Sequence, residues 1–476
     1  MIEDEEIRQF LRTFQQLVEY SERVENKAVD GDVPSLINGH LGQPFKDLSV
    51  ISESIGLHRY VDWDIALDEL ASRDPESRLI GIGGPDSASV DTFADFSRSS
   101  WGPFPVAEVS YLNVPSGVDE TRQVVAVGVR LFTYNGDPVA VLQYREDSSD
   151  DPACKCEVVA VNRATSVQLL DELRALADAR SVLKGKVLSF EGADDDEGAE
   201  KFRFVPRVEV PAEDVILPEG AMERIHGHVI GIAENAERLL ALGQHLKRGV
   251  LLYGPPGTGK THTVRYLIGQ LPEHTVVVLR GVSLRHINEA VRVARSMQPA
   301  VVVLEDCDLV AQDRSFSDGA NPLLFTVLDA VDGLDADVDV TFLFTTNRVE
   351  VLEEALAQRP GRVDLAVEVP LPSEADRLRL LKLYGRNLSL SEEALADVAE
   401  RTEGVTGSFA KELMRRTVLQ ALARGEEPGD ERLLAACEEQ MADAIRLDEE
   451  MHADPLDAIV IDDADFEDLA DEDELA

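Results

Sequence analysis

The sequence predicts an α/β fold with a central parallel sheet, preceded by a separate α+β domain. Three apolar runs support the sheet: Gly249–Tyr253, Ala300–Leu304 and Thr341–Phe344. Each run has the length and composition of a strand that is buried on both faces, which is typical of parallel sheets. Because ligands of open α/β sheets bind outside the carboxyl ends of the strands, we expect the functional site at those ends.

A glycine-rich loop follows the first run. It comprises Gly254–Thr261 and leads into an apolar helical segment, Thr263–Ile268. This is the context of a P-loop, in which glycines let backbone N–H groups wrap around an anion and the helix N-terminus adds positive charge. We therefore predict a nucleoside triphosphate here, with Lys260 reaching the β- and γ-phosphates and the Thr261 hydroxyl ligating Mg²⁺. The predicted nucleotide-contacting residues of the loop are Gly254, Pro256, Gly257, Thr258, Gly259, Lys260, Thr261 and His262.

An acidic pair follows the second run. Glu305 and Asp306 come directly after Leu304, so the strand delivers two carboxylates to its carboxyl end. One carboxylate is expected to organise the Mg²⁺ shell, and the next to orient and polarise the attacking water. The predicted metal contacts are therefore Thr261 and Glu305. The alternative is an acidic loop with no catalytic role.

Polar side chains that suit phosphoryl transfer also follow the third run. Asn347 ends the segment Thr345-Thr-Asn347, and its neutral amide can bind the γ-phosphate or the lytic water without adding negative charge. Further on, Arg359 and Arg362 flank a Pro-Gly turn. Guanidinium groups stabilise charge on a transferring phosphoryl group, and a neighbouring subunit supplies them in some enzymes.

Read in order, GPPGTGKT, VVVLEDCD, FTTNR and QRPGRVD resemble the Walker A, Walker B, sensor 1 and arginine-finger motifs of the AAA family of ATPases. The resemblance covers a little under half of the chain. It implies ATP as the nucleotide, a P-loop NTPase core with a doubly wound parallel sheet, a helical lid after it, and a homo-oligomeric ring, usually a hexamer. It further implies that Arg359 and Arg362 act in trans, that Asn347 is sensor 1, and that the adenine pocket begins at Val215 and Ile216.

Three features depart from the family pattern. The Glu305-Asp306 order reverses the usual Asp-Glu, and a shift on the order of 1 Å at a reacting water can cost ~100-fold in rate. The same order occurs in the branch of the mitochondrial Rieske-protein translocase, which this core resembles. The segment Arg280–His286 carries no aromatic residue where many members grip a substrate, which argues against processive threading. In the lid, Phe409 replaces the usual aspartate, and Lys411 is expected in solvent.

The chain divides into five segments. They are an α+β N-terminal domain over 1–185, a linker with an acidic stretch over 186–213, the ATPase core over 214–372, the helical lid over 373–446 and an acidic, disordered tail over 447–476. In the first segment, Asn135-Gly136-Asp137 between two apolar runs predicts a β-hairpin, and residues 7–18 have the spacing of an amphipathic helix. This domain is expected to select a client or adaptor; an inert role in ring assembly is the alternative.

Composition limits the partners and the compartment. The net charge is −45, and the tail supplies fourteen acids without a Lys or Arg. Such a chain repels phosphate backbones, so we expect no nucleic acid partner. No apolar run reaches the ~20 residues of a membrane span, and the N-terminus lacks the basic start of a signal peptide. The four scattered cysteines do not form a disulfide framework. We expect a cytoplasmic protein that does not contact a membrane.

Two classes of function follow. The first is a ring ATPase that hydrolyses Mg-ATP to remodel or assemble an unknown protein client. The alternative is an ATP-gated scaffold or switch that hydrolyses slowly, which the reversed acids and the missing aromatic favour. A membrane-bound AAA protease would need a zinc motif such as His-Glu-x-x-His, and the sequence has none. A clamp loader would need basic surfaces that face DNA.

Overall fold

The computed structural model describes residues 31–84, 92–97, 104–146, 153–191, 201–310, 338–348 and 363–452. They fall into two compact units. The first unit comprises Met1–Glu209, Arg224–Leu252 and Val264–Val367, and the second comprises Val210–Glu223, Tyr253–Thr263 and Glu368–Ala476. The predicted opening helix, the arginine pair Arg359 and Arg362, and the acidic tail from residue 453 onward lie outside the described residues.

An antiparallel sheet forms the N-terminal part of the first unit. Its strands are β1 (Val50–Gly56), β2 (Arg78–Ile82), β3 (Val106–Ala107), β4 (Ser110–Gly117), β5 (Glu120–Tyr134), β6 (Asp137–Glu146) and β7 (Ala153–Ala160). Their order is β1-β7-β6-β5-β2-β3, and β4 pairs with β5. Asn135 and Gly136 join β5 to β6 with φ of 51° and 90°, the paired positive angles of a type I′ turn. The predicted hairpin is therefore confirmed.

Both faces of this sheet are covered by helices or loops. The helices are α1 (Val33–Leu41), α2 (Tyr60–Ala71) and α3 (Arg163–Ala179). Because side chains alternate across a strand, Phe132 packs in the core beneath α2 and α3, while its neighbour Leu131 packs in the core beneath α1. Cys154 and Cys156 on β7 are buried free thiols, as are Cys307 and Cys437, which confirms that the cysteines do not form a disulfide framework.

A mixed sheet forms the rest of the first unit. Its strands are β8 (Val187–Glu191), β9 (Lys201–Val205), β10 (Arg248–Tyr253), β11 (Thr275–Arg280), β12 (Ala300–Glu305), β13 (Val340–Thr346) and β14 (Leu365–Glu368). Their order is β14-β10-β13-β12-β11-β8-β9. The pairs β8–β11, β11–β12 and β12–β13 are parallel. Every residue of β12 and β13 is buried, as expected for central strands of a parallel sheet.

The predicted linker over 186–213 is wrong for two of these strands. β8 pairs with β11, and β9 pairs antiparallel with β8, so this segment extends the nucleotide-binding sheet. The four residues Val187–Phe190 are too few to show the alternation of apolar and polar residues that predicts a strand. Their place in the sheet depends on pairing with β11, which is distant in sequence. The acidic stretch of the predicted linker lies, from position 192 to 200, outside the residues that the structure describes.

Helices complete the two units. Those before the lid are α4 (Ala221–Glu234), α5 (Ala236–Ala241), α6 (Lys260–Gly269), α7 (Ile287–Ser296) and α8 (Cys307–Val310). The lid contains α9 (Glu374–Tyr384), α10 (Glu392–Arg401), α11 (Gly407–Arg424) and α12 (Asp430–His452). Ser373, Ser391 and Thr406 cap the first three lid helices through their hydroxyl groups, which satisfies free N–H groups at each start. α12 continues to His452, past the predicted lid boundary at 446.

In the described ranges, no helix is both long enough and apolar enough to cross a membrane.

Candidate active site

The loop after β10 requires glycine at defined positions. Gly254, Gly257 and Gly259 have φ of 142°, 78° and 106°, a region that residues with a Cβ rarely adopt. A Cβ on Gly254 would lie 2.2 Å from the Val369 carbonyl oxygen, and one on Gly257 would lie 2.9 Å from Ser408 Oγ. The loop is therefore a close-packed backbone cradle, the form that a phosphate-binding loop needs.

The polar side chains of the loop point along this cradle. Lys260 is buried, and its Nζ donates to the carbonyl oxygens of Gly254 and Pro255, both at 2.8 Å. Thr258 Oγ1 donates to Pro255 O at 2.9 Å. α6 starts at Lys260, so the positive end of the helix dipole lies at the loop. Thr261 and His262 are half-buried in the first turn of α6. These groups fit a bound triphosphate.

An apolar pocket adjoins the loop within the second unit. It is lined by Ile216, Leu217, Pro218, Thr258, Val369, Pro370, Leu371, Pro372, Asp376, Leu380 and Gly407. Its lining residues are mainly apolar with few polar groups, as in sites that bind small molecules. The structure places the predicted Ile216 in this pocket, whereas Val215 is buried beside it and does not line it.

The lid contributes to the same pocket and loop. The Ser408 N–H, in the first turn of α11, donates to Gly257 O at 3.1 Å. Phe409 packs on the lid core, and Lys411 is exposed, as expected for Lys411. The sequence did not predict that this pocket is lined by the lid residues Leu380 and Gly407 and by Val369–Pro372, because only folding brings them to the loop.

A second constellation lies at the carboxyl ends of β12 and β13 in the first unit. Glu305 is buried and forms an ion pair with Arg280, its register partner on β11. Asp306 has a φ of 53°, a left-handed conformation that is uncommon outside glycine and is associated with functional sites. Its N–H donates to Thr345 Oγ1 at 3.0 Å, which helps to hold this conformation.

Asp308 connects these two strand ends. It is 4% exposed, and its Oδ1 accepts hydrogen bonds from Thr346 Oγ1 at 3.1 Å and from the Asn347 N–H at 3.0 Å. Asp308 therefore fixes the backbone that carries the predicted sensor, Asn347. Asp308 is the last residue of the motif VVVLEDCD, and the sequence predicted no role for it. A third acid two residues after the pair was the available signal.

Cys307 lies between these acids and is an inert thiol. It is buried, and burial raises the pKa of this thiol to about 12. The thiolate is the nucleophilic form of cysteine, and it is not populated at neutral pH with such a pKa. Nucleophilic chemistry at this strand end is thereby excluded for Cys307.

The segment after the arginine pair is anchored to β10. The Asp364 N–H donates to Gly249 O, and the Gly249 N–H donates to Asp364 Oδ2, both at 2.9 Å. Burial raises the pKa of Asp364, but the nearby His228, whose Nε2 lies 3.8 Å from Oδ2, and the hydrogen bond from the Gly249 N–H outweigh it, so the pKa lies below its usual value. This double contact holds Asp364 against β10.

The donor set suits Mg²⁺ held through few protein ligands. Among the described residues, no cluster of three or more His, Cys, Asp or Glu side chains is arranged to hold a metal ion. Mg²⁺ beside a nucleotide keeps several waters and takes one or two protein ligands. The Thr261 hydroxyl in the second unit and the Glu305 carboxylate in the first are each of a chemical type that ligates Mg²⁺.

Comparison with known proteins gives a family for this site. Residues 250–371 match the model described as "ATPase family associated with various cellular activities (AAA)". That range includes the glycine loop, both acids and the sensor strand. The family match does not distinguish the Rieske-translocase branch from other branches.

Similar curated proteins are ATP-dependent zinc metalloproteases. FtsH of Malacoplasma penetrans (strain HF-2) is 32% identical over 213 residues, which is 42% of this chain and 26% of that protein. FTSH 1, chloroplastic, of Arabidopsis thaliana is 31% identical over 238 residues, 47% of this chain and 33% of that protein. FtsH 3 of Sphaerobacter thermophilus is 32% identical over 247 residues, 49% of this chain and 50% of that protein. The chain thus spans from about a quarter to half of these relatives. Residues 250–371 thus match the AAA ATPase family, whose members use ATP and Mg²⁺.

Proposed function

We propose that this protein is a ring ATPase that hydrolyses Mg-ATP and couples hydrolysis to remodelling or assembly of a protein client. The observation that carries the proposal is the loop geometry, in which three glycines with positive φ and the buried Lys260 form a phosphate cradle at the start of α6. The carboxylates at the end of β12 supply the groups that hydrolysis needs in addition to binding.

Each residue has a distinct part in this mechanism. In the proposed site, Lys260 and the loop N–H groups would hold the phosphates, and Thr261 and Glu305 would hold Mg²⁺. Bound Mg²⁺ neutralises charge on the transferring phosphoryl group. Arg280 forms an ion pair with Glu305, which would hold this carboxylate in place for the metal. Asp306 orients the attacking water, and Asn347 contacts the γ-phosphate or that water.

The ring and its shared site extend the proposal to neighbouring subunits. Arg359 and Arg362 are proposed to reach the γ-phosphate of an adjacent subunit, in keeping with the oligomeric rings of the AAA family. Steady-state hydrolysis across protein concentration tests this. We expect the rate per subunit to rise with concentration in the wild type and to collapse in Arg359→Ala. A rate that does not depend on concentration and is unchanged in the variant would remove the shared-site proposal.

The client is proposed to be a protein. The names of the relatives describe ATP-dependent proteolysis, and such proteins act on polypeptides. We do not extend zinc-dependent cleavage to this chain, because it spans half or less of those relatives. The N-terminal sheet domain is proposed to select the client. We further propose a Rieske-translocase-like core and a cytoplasmic protein without nucleic acid or membrane partners.

A second candidate function is an ATP-gated scaffold that hydrolyses slowly. Two observations favour it. The side chain proposed to orient the water is the shorter Asp306, and the exposed Val282 after β11 is aliphatic, in a segment without Phe, Tyr or Trp. Tight ATP binding with turnover that no client raises would favour the scaffold. Turnover that a client raises many-fold would favour remodelling.

Lys260→Ala and Asp306→Asn separate binding from hydrolysis. Lys260→Ala should abolish ATP binding or turnover, because the loop loses its buried cation. Asp306→Asn should retain ATP on the protein, because the cradle is intact while the water loses its orienting carboxylate. An ATPase rate unaffected by Lys260→Ala would refute the assignment of the site.

A further inference from the structure

The segment that leaves the N-terminal domain becomes part of the nucleotide-binding sheet. β8 pairs with β11 through Val187, Leu188 and Ser189, and the Val276 N–H donates to Lys186 O at 2.8 Å. β9 then returns antiparallel along β8. Backbone hydrogen bonds therefore tie this segment to the sheet, and a free linker between the domain and the sheet is excluded over these residues.

Arg207, two residues after β9, completes this attachment. Its Nη1 donates to Ile268 O at 2.6 Å and to Leu271 O at 3.1 Å, and its Nη2 donates to His274 O at 2.8 Å and to Gly185 O at 3.2 Å. Three of these carbonyls belong to the end of α6 and the turn that leads to β11. The fourth precedes β8. One guanidinium thus joins the exit of the N-terminal domain to the far end of the P-loop helix.

The chemistry of this contact is specific to arginine. Carbonyl groups at a helix C-terminus form the negative end of its dipole and lack intrahelical donors. A guanidinium has several donors in a fixed fork, so it can serve four carbonyls at once, whereas a lysine ammonium has three donors on a flexible stem. Burial lowers the pKa of Arg207, with Glu273 opposing the change, but arginine remains protonated at neutral pH.

The N-terminal domain also contacts the sheet layer directly. His58 Nδ1 lies 3.1 Å from Glu289 Oε1 on α7, and both residues are buried. Arg59 Nη1 donates to Ser296 Oγ at the end of α7 at 3.4 Å, and Arg59 also pairs with Asp62 inside its own domain. The attachment through Arg207 is therefore part of a continuous junction within the first unit.

The position of Arg207 links this junction to the nucleotide site. α6 carries Lys260 and Thr261 at its other end, about 15 Å away for ten residues at 1.5 Å each, and a helix of this length transmits displacement as a rigid element. Arg207 also lies nine residues before Ile216, which lines the apolar pocket. α6 thus connects Lys260 and Thr261, at its start, with the Ile268 carbonyl that Arg207 binds near its end.

We propose that Arg207 is a positioning residue that couples the N-terminal domain to ATP binding by fixing the carboxyl end of the P-loop helix. Since coupling free energy is reciprocal, nucleotide binding alters the N-terminal domain, and occupancy of that domain alters nucleotide affinity. The inference rests on the proposed function. It adds a route by which a client on the N-terminal domain controls the ATPase.

Full-length wild type, Arg207→Met, Arg207→Lys and Arg180→Met test it. Arg180 is the matched control, because it is an exposed arginine whose ion pair with Glu69 lies on the surface of the same unit, where such pairs contribute little. Calorimetric titration with Mg²⁺ and a non-hydrolysable ATP analogue gives the affinity. We expect Arg207→Met to weaken binding about tenfold, which corresponds to about 1.4 kcal/mol. The affinity of Arg207→Lys should lie between those of the wild type and Arg207→Met, and the affinity of Arg180→Met should match that of the wild type.

Hydrogen exchange with the same analogue at saturation separates coupling from a purely structural role. In the wild type, nucleotide should increase protection at residues 253–263 and also at 57–71 and 185–191. In Arg207→Met, only the change at 253–263 should remain. The coupling is overturned if the wild type shows no change in the N-terminal peptides. It is also overturned if Arg207→Met lowers only the melting temperature and leaves affinity and exchange as in the wild type. A wild type that does not bind the analogue would instead refute the proposed function.

Discussion

Replacing Asp308 by alanine gives a sharp test of the strand-end constellation. The carboxylate accepts hydrogen bonds from Thr346 Oγ1 and the Asn347 N–H, and alanine removes this acceptor. Charge-assisted hydrogen bonds contribute about 1.5–3 kcal/mol, and an unsatisfied buried donor costs about 1–3 kcal/mol. The segment that carries Asn347 is therefore expected to relax toward other acceptors. A displacement on the order of 1 Å at a catalytic group costs ~100-fold in rate, about 2.7 kcal/mol of barrier.

The assay is the turnover number for ATP together with the affinity for a non-hydrolysable analogue. We expect Asp308→Ala to lower kcat by roughly 30- to 100-fold while the analogue Kd changes by less than about threefold, because the loss is of orientation for the chemical step. Asp308→Asn keeps one acceptor oxygen and should lose roughly tenfold less. Asp397→Ala is the matched control, since Asp397 pairs with Arg401 on the lid surface.

The reasoning would be refuted by one result in particular. If Asp308→Ala hydrolyses ATP at the wild-type rate with an unchanged circular dichroism spectrum, Asp308 does not position Asn347. A loss of affinity for the analogue as large as the loss of kcat would also contradict it. That result would mean that the substitution disrupts the nucleotide site as a whole and does not only misorient Asn347.

Three further predictions follow from the described residues. Gly254→Ala should weaken binding of the analogue more than tenfold, because its Cβ would lie 2.2 Å from the Val369 carbonyl oxygen, whereas Gly425→Ala, with φ of 69° and no atom within 4 Å, should leave binding unchanged; equal affinities for both variants in calorimetry would contradict this. Burial lowers the pKa of His274 to about 4, against the opposing effect of Asp339. Between pH 6.5 and 4, the unfolded chain therefore binds a proton that the folded chain does not. The free energy of unfolding, measured with urea, should fall by on the order of 3 kcal/mol as the pH is lowered from 6.5 to 4. His274→Gln should flatten this dependence, and an unchanged slope would show that another group causes it. Asp306→Asn should retain radiolabelled ATP on the protein through gel filtration, and rapid release as ADP would show that another group orients the water.

Much of the site could be predicted from the sequence because its chemistry is local. Glycines at fixed spacing before Lys260 specify a backbone path, and a run of β-branched residues before Glu305 specifies a buried strand. The same is true of the hairpin at Asn135-Gly136, where two consecutive residues must adopt positive φ. In each case neighbours in sequence supply the decisive constraint.

Other parts of the site depend on contacts between residues far apart in the chain. The acceptor role of Asp308 toward Asn347 spans 39 positions, and the contact of Ser408 with Gly257 spans 151. The two strands in the predicted linker belong to the same class, since β8 gains its place only by pairing with β11. A short apolar segment followed by acids gave no periodic signal that could reveal it.

The sequence by itself determined the phosphate cradle, the order of the core strands along the chain and the carboxylates at their ends, because spacing and side-chain chemistry fix local conformation. Tertiary structure alone decided which distant residues line the apolar pocket, how Asp308 orients the sensor strand, and where the guanidinium of Arg207 joins the N-terminal domain to α6. These contacts depend on how packed elements meet, and burial and hydrogen bonding select that arrangement across the whole unit rather than at any single position.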